Sequence, residues 1–486
     1  MLPNRFVDEL PAGLPIGDQW RATDQTREVI FPFDGTVVGR APVGSTQDAA
    51  DALDAAWAAQ SAMAEATVAQ RRGVLRRIHT ELSARGDDLI DLLVLETGKP
   101  LVDCRTEVAR ALATWEAALE EVARLVGETV PLDLQPLGKG MLGYFTREPA
   151  GVVVGIAGFN YPLLLASHKA APALAAGCPI IVKPAPNTPL ATLWMADVAR
   201  QALVAEGLPA AGLQLVTGDV AVGATLVGDE RVPVVSFTGS AEVGHQIARN
   251  AAPRKALLEL GSNTAVIVAA DADLDAAVDG VIRGGFYANG QACISIQRLL
   301  VHRDVVDEFV GRLLRRLPEV VVGDPRTAQT RLAPVIDDRS RTRIREWLAA
   351  AVAAGAEVIA GEDGASTEVQ MQPTVVRDVP HDQPLWAEEI FGPVVCVEAV
   401  CDVEDAIAIA NASRYGLQGA IYTGSLQLAF DAINRFDVGG VVVNEIPGFR
   451  SDVMPYGGVK DSGVGREGPR WAMEEFTVTK MAMIRP

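Results

Sequence analysis

The chain has 486 residues, of which 49% are hydrophobic and 22% are charged. This length predicts two or three domains, and the composition is typical of a globular protein rather than a disordered one. The 62 acidic and 43 basic side chains give a formal charge of −19, which argues against nucleic acid or an anionic membrane as a partner. An anionic small molecule remains open as a substrate, because the local charge of a site can oppose the net charge.

The first eight residues lack a basic segment followed by an apolar one, so no secretory signal is expected. The longest apolar runs, such as residues 151–159, are shorter than the roughly 18–20 residues that a membrane span requires. The five cysteines are scattered, without a CxxC pair or the Cys/His spacing of zinc ligands. These features favour a cytoplasmic protein without structural zinc.

Helical periodicity dominates residues 45–125, which open with a capping residue at Thr46. From residue 151, short apolar runs alternate with amphipathic segments. The predicted strands are 151–157, 179–183, 213–217, 234–238 and 256–260, with helices starting at Leu163, Leu190, Val220 and Ala241. This alternation predicts a parallel sheet with helices on both faces, which binds its ligands at the carboxyl ends of the strands.

A second alternating block follows. Its predicted strands are 263–268, 297–301, 394–397, 419–422 and 438–444, with helices starting at Leu274, Val305, Ser340 and Val403. The β-like segments 138–147 and 477–484 fit neither block, and together they would pair as a protruding ribbon. Residues 362–367 are the clearest predicted loop.

Cys293 and Glu259 are candidate catalytic residues, a thiol nucleophile and a carboxylate that would activate water. An arbitrary cysteine is usually a buried packing residue, but the Asn289-Gly290 pair before Cys293 suits a tight, exposed entry into a loop. Glu259 lies in an apolar strand, where burial would raise its pKa toward that of a general base; an ion-paired strand-end glutamate is the alternative. Asn160 would donate to an oxyanion or initiate the following helix through an Asx turn.

Five motifs follow one another as they do in the NAD(P)-dependent aldehyde dehydrogenase superfamily. They are GFNYP at 158–162, VKP at 182–184, LELGS at 258–262, GQACIS at 290–295 and EEIFGP at 388–393. The resemblance covers nearly the whole chain. It implies an α/β fold with a Rossmann-type cofactor domain, an α/β catalytic domain and a small β oligomerisation ribbon. The corresponding ranges are 1–124 and 147–259 for the cofactor domain, 260–437 for the catalytic domain, 125–146 and 472–486 for the ribbon, and 438–471 for a segment that returns to complete the sites.

The same resemblance implies the chemistry of the hydrolytic, non-acylating branch. Cys293 would attack the aldehyde and pass through a thiohemiacetal to a thioester, while Asn160 and the Cys293 backbone N–H hold the oxyanion. Glu259 would activate the water that hydrolyses the thioester, and branches that transfer the acyl group to coenzyme A lack this glutamate. No metal is required, and a homodimer or homotetramer is implied.

The cofactor implied by the resemblance is NAD or NADP. The residues that match its binding motifs are Phe159, Lys183, Gly218, Phe237, Gly239, Ser240, Gly261, Glu389 and Phe391. Among them, Lys183 and Glu389 match residues that hold the two riboses, and Ser240 begins a helix suited to the pyrophosphate. Pro186 departs from the family, which commonly has a glutamate three residues after the lysine. Without that glutamate, NAD loses a hydrogen bond to its ribose and NADP no longer meets a negative charge that repels its phosphate. We therefore expect use of both cofactors or a preference for NADP.

Arg105 and Arg450 fall where relatives that oxidise anionic aldehydes have substrate-binding arginines, and guanidinium groups suit such oxyanions. Arg105 would otherwise pair with Asp103 or Glu107, and Arg450 with Asp452. The sequence therefore indicates an aldehyde dehydrogenase, with a small anionic aldehyde as one expected substrate.

Three alternatives remain open at this point. Relatives with anionic substrates often have a further arginine just before the cysteine, where this chain has Ala292, so a neutral aliphatic or aromatic aldehyde is one alternative. A coenzyme A-acylating enzyme is disfavoured by Glu259. A non-catalytic dinucleotide-binding homologue is disfavoured because the cysteine, glutamate and asparagine are all present.

Overall fold

The structure, a computed structural model, describes residues 10–361 and 369–486. The loop predicted at 362–367 lies outside the described residues. Within these ranges no helix is both long and apolar enough to cross a membrane.

The first part of the chain consists of two hairpins and a group of four helices. The hairpins are formed by β1 (Leu14–Ile16) with β2 (Gln19–Arg21), and by β3 (Gln25–Ile30) with β4 (Val37–Val43). The helices are α1 (Thr46–Ala64), α2 (Val68–Ala84), α3 (Gly86–Thr97) and α4 (Leu101–Glu121). The N-cap of α1 is Ser45, not Thr46, because the Ser45 hydroxyl and the Asp48 carboxylate form a reciprocal capping box.

A parallel sheet follows, after the short strand β5 (Thr129–Val130) and the longer β6 (Leu142–Pro149). Its parallel strands are β7 (Val153–Ile156), β8 (Ile180–Lys183), β9 (Leu213–Leu215), β10 (Val234–Thr238) and β11 (Lys255–Glu259). The intervening helices are α5 (Pro162–Ala176), α6 (Leu190–Ala205), α7 (Val220–Gly228) and α8 (Ala241–Ala251). The chain winds from β7 through β8 to β9 and then reverses to β10 and β11 on the other side. The strand ends beside this reversal point form the edge where ligands of such sheets bind.

The second block forms a seven-stranded sheet in the order β14-β15-β16-β13-β12-β18-β19, parallel except between β14 and β15. The strands of this part of the chain are β12 (Ala265–Val268), β13 (Arg298–His302), β14 (Glu357–Ala360), β15 (Thr374–Arg377), β16 (Val394–Val400), β17 (Tyr415–Gly416), β18 (Gln418–Tyr422) and β19 (Gly440–Val443). Its helices are α9 (Leu274–Gly284), α10 (Val306–Arg316), α11 (Asp338–Ala353), α12 (Pro384–Ala387), α13 (Val403–Asn411) and α14 (Leu426–Arg435). The sequence did not predict β14, β15 or α14. Of these, β14 is a short edge strand that is largely half-buried and has no clear alternation.

The end of the chain returns to the first sheet and to the ribbon. Its elements are β20 (Val459–Lys460), β21 (Gly463–Val464), α15 (Pro469–Glu475) and β22 (Thr477–Ile484). Strand β21 pairs antiparallel with β11, so that Gly463 lies opposite Glu259. Strand β22 pairs antiparallel with β6 over its whole length, as the sequence predicted. The ribbon strand begins at Leu142 and not at residue 138, because Gly140 adopts a left-handed conformation that ends the preceding turn.

Candidate active site

A cavity of about 1070 Å³ lies at the carboxyl ends of the strands of the first sheet. It is lined by all three predicted catalytic residues, Asn160, Glu259 and Cys293. Residues from α4 and from the loop after β19 line one part of the cavity, and the start of α8 and the segment around Glu389 line another. The structure therefore brings the candidate catalytic and cofactor-binding segments to one site.

The nucleophile segment is preceded by a backbone turn that few residues adopt. Ala288, Asn289 and Gly290 have successive φ values of 48°, 62° and 70°, all in the left-handed region. A Cβ at Gly290 would lie 2.1 Å from the carbonyl oxygen of Gly392, so only glycine fits there. The tight turn predicted from Asn289-Gly290 is present.

This turn is buried, whereas the sequence predicted an exposed one. The Asn289 side chain is fully buried, and its Nδ2 donates to the carbonyl oxygens of Gly98 at 3.3 Å and Pro334 at 2.9 Å. Its Oδ1 accepts from the N–H of Ala333 at 2.7 Å. Burial is tolerated because the amide satisfies both its donors and its acceptor.

The Cys293 thiol is partly exposed to the cavity, and its Sγ lies 3.4 Å from the hydroxyl oxygen of Tyr456. Burial, with a contribution from Glu389 and Glu259, raises the pKa of Cys293 to about 11, and the Tyr456 hydroxyl opposes this rise. Within the described ranges, the Cys293 backbone N–H has no hydrogen-bond partner, so it is available to an oxyanion. Of the other cysteines, Cys104, Cys178 and Cys396 are buried, whereas Cys401 is exposed.

The Asn160 side chain points at the nucleophile segment, where its Nδ2 donates to the carbonyl oxygen of Gln291 at 2.8 Å. It does not cap the following helix α5. That role belongs to Glu107, whose Oε1 accepts from the N–H groups of Leu163 at 2.9 Å and Leu164 at 3.2 Å. The buried Glu107 also pairs with Lys99, so it is not available to Arg105. The geometry thus favours the oxyanion role of Asn160 over the Asx-turn alternative.

Glu259 is the last residue of β11 and is only 6% exposed. Its Oε2 has no hydrogen-bond partner among the described residues. Burial and, next, the neighbouring Glu467 carboxylate raise the pKa of Glu259 well above its usual range. A carboxylic acid in this state becomes a strong base once it loses its proton.

A buried cluster that adjoins Glu259 through Glu467 contains two further carboxylates and their cationic partners, most of which the sequence did not indicate. Glu467 pairs with Lys169 at 3.1 Å and with Arg450 at 3.3 Å, and its Oε2 lies 3.3 Å from Nδ1 of His168. Although burial opposes it, Lys169 and His168 hold the pKa of Glu467 well below its usual range. Glu467 is therefore ionised in the state in which Glu259 is protonated.

Asp452 is the second of these carboxylates. Arg110 donates to both its oxygens, from Nε at 3.2 Å and from Nη2 at 3.1 Å. His168 Nε2 lies 3.0 Å from Oδ1, and Arg450 Nε lies 3.7 Å from the same atom. These contacts outweigh burial and lower the pKa of Asp452. The pairing of Arg450 with Asp452 that the sequence allowed is present, with Glu467 as an additional partner.

The two predicted substrate arginines do not converge. Arg450 lines the cavity, but Arg105 is exposed on α4 and is not among the lining residues. Asp103, Thr106 and Arg110 line the cavity from this helix instead. At about 100° per residue, Arg110 lies near the face of Asp103, whereas Arg105 lies about 200° from it. Arg110 is distinguishable from Arg105 only once Asp103 is known to face the cavity, because Arg110 follows Asp103 by seven residues, nearly two full turns.

Several predicted cofactor residues line the same cavity. They are Phe159, Gly239, Ser240, Gly261, Glu389 and Phe391. The Glu389 carboxylate is held by the N–H of Ser262 at 2.9 Å, and a Cβ at Gly261 would lie 2.5 Å from it. The Phe159 and Phe391 rings contact edge to face at 5.7 Å. The N-cap Ser240 makes no side-chain cap of α8, which leaves the helix N-terminus open to a phosphate.

The remaining predicted cofactor residues lie along the same sheet edge but outside this cavity. Lys183 ends β8, and its Nζ donates to the carbonyl oxygen of Gly218 at 2.9 Å. Phe237, in β10, packs its ring against Gly239, where a Cβ would lie 2.5 Å from the ring. Pro186 is half-buried three residues after Lys183. Together these residues fit a dinucleotide that lies across the strand ends. The open N-terminus of α8 would hold its pyrophosphate, and the Glu389 carboxylate would hold a ribose.

Comparison with known proteins agrees with this geometry. Residues 20–482 match the aldehyde dehydrogenase family. The chain is 36% identical to 3-sulfolactaldehyde dehydrogenase of Priestia aryabhattai over 475 residues, which cover 97% of this chain and 98% of the relative.

Two solved structures extend the comparison. Aldehyde dehydrogenase 21 from Physcomitrella patens, in complex with the reaction product succinate, superimposes with a TM-score of 0.94 at 36% identity, covering 98% of each chain. Glyceraldehyde-3-phosphate dehydrogenase from Methanocaldococcus jannaschii, in complex with NADP, gives a TM-score of 0.91 at 33% identity, covering 95% of this chain and 100% of the other. The chain therefore belongs to the aldehyde dehydrogenase family and is an oxidoreductase that uses NAD or NADP to oxidise an aldehyde.

Proposed function

We propose that this enzyme converts a small anionic aldehyde to a carboxylate by the hydrolytic route, with Cys293 as the nucleophile. The observation that carries the choice of substrate is the pair Arg110 and Arg450, which flank Asp452 and line the cavity together with His168. Arg110 uses Nε and Nη2 on Asp452, and Arg450 uses Nη2 on Glu467, so Nη1 of each guanidinium has no hydrogen-bond partner among the described residues. Unsatisfied guanidinium donors in a partly buried cavity favour an anionic ligand.

The relatives support the same class of substrate. The name of the Priestia enzyme specifies an aldehyde that carries a sulfonate, and the Physcomitrella enzyme was solved with succinate, a dicarboxylate. The sulfonate and carboxylate groups are both compact oxyanions of the kind that guanidinium groups bind. Ala292, in place of a further arginine, is compatible with this proposal because Arg110 and Arg450 already supply two cations.

The first half of the reaction forms and oxidises a covalent adduct. The Cys293 sulfur attacks the aldehyde carbon, and the carbonyl oxygen becomes an oxyanion that accepts from Asn160 Nδ2 and from the Cys293 N–H. NAD(P)+, when bound, supplies the acceptor for the hydride that leaves the thiohemiacetal carbon. Collapse of the oxyanion leaves a thioester on Cys293.

The second half releases the acid. Glu259, once deprotonated, takes a proton from water, and the resulting hydroxide attacks the thioester carbon. The carbon–sulfur bond breaks and the Cys293 thiolate leaves. The balance is one aldehyde, one NAD(P)+ and one water consumed, with one carboxylate, one NAD(P)H and two protons formed.

The substrate class is tested with pairs of aldehydes that differ only in the charged end. Succinate semialdehyde is compared with butanal, and 3-sulfolactaldehyde with lactaldehyde, by measuring kcat/KM for each. We expect the anionic member of a pair to be preferred by about 10-fold or more, because a charge-assisted contact contributes roughly 1.5–3 kcal/mol. Equal kcat/KM values within both pairs would refute the anionic substrate.

Variants of the arginines on α4 then test which of them causes the preference for the anionic aldehyde. Arg110→Ala should reduce kcat/KM for the anionic aldehyde by about 10- to 150-fold and for the neutral one much less. Arg110→Lys keeps the charge that Asp452 faces and should give a smaller loss. Arg105→Ala is the matched control, since it removes an arginine from the solvent side of the same helix. A loss in Arg105→Ala as large as in Arg110→Ala would contradict the assignment.

The proposal includes a homodimer or homotetramer in the cytoplasm. Apolar side chains are exposed on the ribbon and in the turns next to it, and a partner subunit would cover them; they are Leu134, Leu137, Leu142, Val478, Met483 and Ile484. All five cysteines are free, which suits a reducing compartment. The proposed domain division assigns the first sheet to the cofactor domain, the second to the catalytic domain and the β6–β22 ribbon to assembly.

A further inference from the structure

We propose that Tyr456 is a catalytic residue whose hydroxyl donates to the Cys293 sulfur, and that Arg450 is a positioning residue that holds Tyr456 in place. The inference rests on the proposed function, in which Cys293 is the nucleophile. It assigns a role to the segment after β19 that none of the sequence motifs contains.

The contact between the hydroxyl and the thiol is the starting point. The Tyr456 hydroxyl oxygen lies 3.4 Å from Sγ of Cys293, within hydrogen-bond distance for sulfur. Either group can donate while the thiol is neutral, but only the hydroxyl can donate to a thiolate. The contact therefore strengthens as the sulfur becomes anionic, which is the state that attacks the aldehyde.

Tyr456 is held rigidly in this position. Its side chain is buried, at 3% exposure, and packs with Ile294 and Leu417 around Cys293. Its backbone exchanges two hydrogen bonds with Glu467, at 3.1 and 2.7 Å. A hydroxyl on a ring fixed from both sides is preorganised for the thiolate and loses little entropy when it donates.

Arg450 completes the arrangement. Its guanidinium carbon lies 3.8 Å from the centroid of the Tyr456 ring, in a cation–π stack. The same group pairs with Glu467 at 3.3 Å and is only 5% exposed. Arg450 thus links the two residues whose backbones pair, and its stack holds the Tyr456 ring that carries the hydroxyl.

Other charges also act on the thiol. Glu389 and Glu259 oppose its ionisation and Arg450 favours it, while burial and, next, the Cys293 charge raise the pKa of the Tyr287 hydroxyl. Burial, followed by the Cys293 charge, raises the pKa of Tyr456 well above its usual range, so its hydroxyl keeps its proton and remains a donor. The test must therefore separate the Tyr456 hydroxyl from these neighbours.

The first test measures the rate at which iodoacetamide alkylates Cys293, as a function of pH and without aldehyde or cofactor. Mass spectrometry of the Cys293 peptide distinguishes it from the exposed Cys401. Tyr456→Phe keeps the ring and its stack but removes the donor, so we expect about 10-fold slower alkylation at a fixed pH below the thiol pKa. The apparent pKa should rise by about one unit. Tyr287→Phe, which removes a hydroxyl with no hydrogen bond to Cys293 among the described residues, should change it less.

The second test concerns Arg450. Arg450→Lys keeps a cation for Glu467 but loses the planar stack, and it should slow alkylation in the same direction as Tyr456→Phe. In the double variant the two effects should be less than additive, because Arg450 acts through the Tyr456 hydroxyl. Full additivity would overturn the positioning role of Arg450.

The outcomes separate this inference from the proposed function. If Cys293→Ser keeps its turnover, the proposed nucleophile is wrong whatever Tyr456 does. If Cys293→Ser is inactive but Tyr456→Phe is alkylated with the wild-type rate and pH profile, the role of Tyr456 alone is refuted. A circular dichroism spectrum and cofactor binding equal to those of the wild type establish that each variant is folded.

Discussion

Replacing Glu259 with glutamine separates the oxidation of the aldehyde from the hydrolysis of the thioester. The side chain is 6% exposed, and its pKa is raised well above the usual range by burial and by Glu467. Glutamine is uncharged and has nearly the same shape as the protonated form that this raised pKa favours. The substitution should leave the fold unchanged while removing the base, and it also removes one of the charges that oppose ionisation of Cys293.

The expected result is a burst followed by a stalled enzyme. General base catalysis contributes typically 10²- to 10⁴-fold, so steady turnover of Glu259→Gln should fall by about that factor. Rapid-mixing measurement of NAD(P)H absorbance should still show about one equivalent formed per active site, provided that hydrolysis is the step that fails. Cys293→Ser, mixed in the same way, gives the baseline without a burst.

The pH dependence of the reaction provides a second test of the role of Glu259 with the same variant. Because the pKa of Glu259 is raised, the fraction of its base form increases as the pH rises above the usual range of a glutamate. The rate at which the preformed thioester is hydrolysed should therefore rise with pH as Glu259 ionises, and this titration should be absent in Glu259→Gln. Unchanged steady turnover with an unchanged pH profile would show that another group is the base.

Two further predictions concern the nucleophile and the cofactor. Cys293→Ser should lose nearly all dehydrogenase turnover but retain cofactor binding, measured by calorimetry, because a serine hydroxyl is a much weaker nucleophile at neutral pH; activity within a few-fold of the wild type would refute Cys293. Pro186→Glu should shift the ratio of kcat/KM values toward NAD, because it restores a carboxylate three residues after Lys183 that bonds ribose hydroxyls and repels a phosphate. A wild-type enzyme that prefers NAD by several orders of magnitude would show that other residues select the cofactor.

Site residues could be predicted from the sequence where one strand or one turn fixes their position. Glu259 ends a short apolar strand and Asn160 closely follows another, so their proximity follows from the parallel sheet. Arg105 was misplaced because the phase of α4 about its own axis is set by what the helix packs on. The burial of Asn289 could not be predicted from the sequence either, because its hydrogen-bond partners come from distant parts of the chain; they are Gly98, Ala333 and Pro334.

The ionic cluster was the least predictable part of the site. Lys169 and Glu467 are 298 residues apart, and Arg110 and Asp452 are 342 residues apart. No local pattern records such pairs, because each charge by itself resembles a solvent-exposed side chain. Only the return of the chain along β21 brings them to the edge of the first sheet.

That return also determines when the enzyme can become active during its synthesis. Strands β7 to β11 are complete once residue 259 has left the ribosome, yet Glu259 then lacks its neighbour Gly463 and the charge of Glu467. Arg110 lacks its carboxylate partner until Asp452 emerges, and Lys169 lacks its partner until Glu467 emerges. A nascent chain can therefore build most of a nucleotide-binding sheet before the groups that surround Glu259 are present, and the proposed site is assembled only after residues 450–467 have emerged.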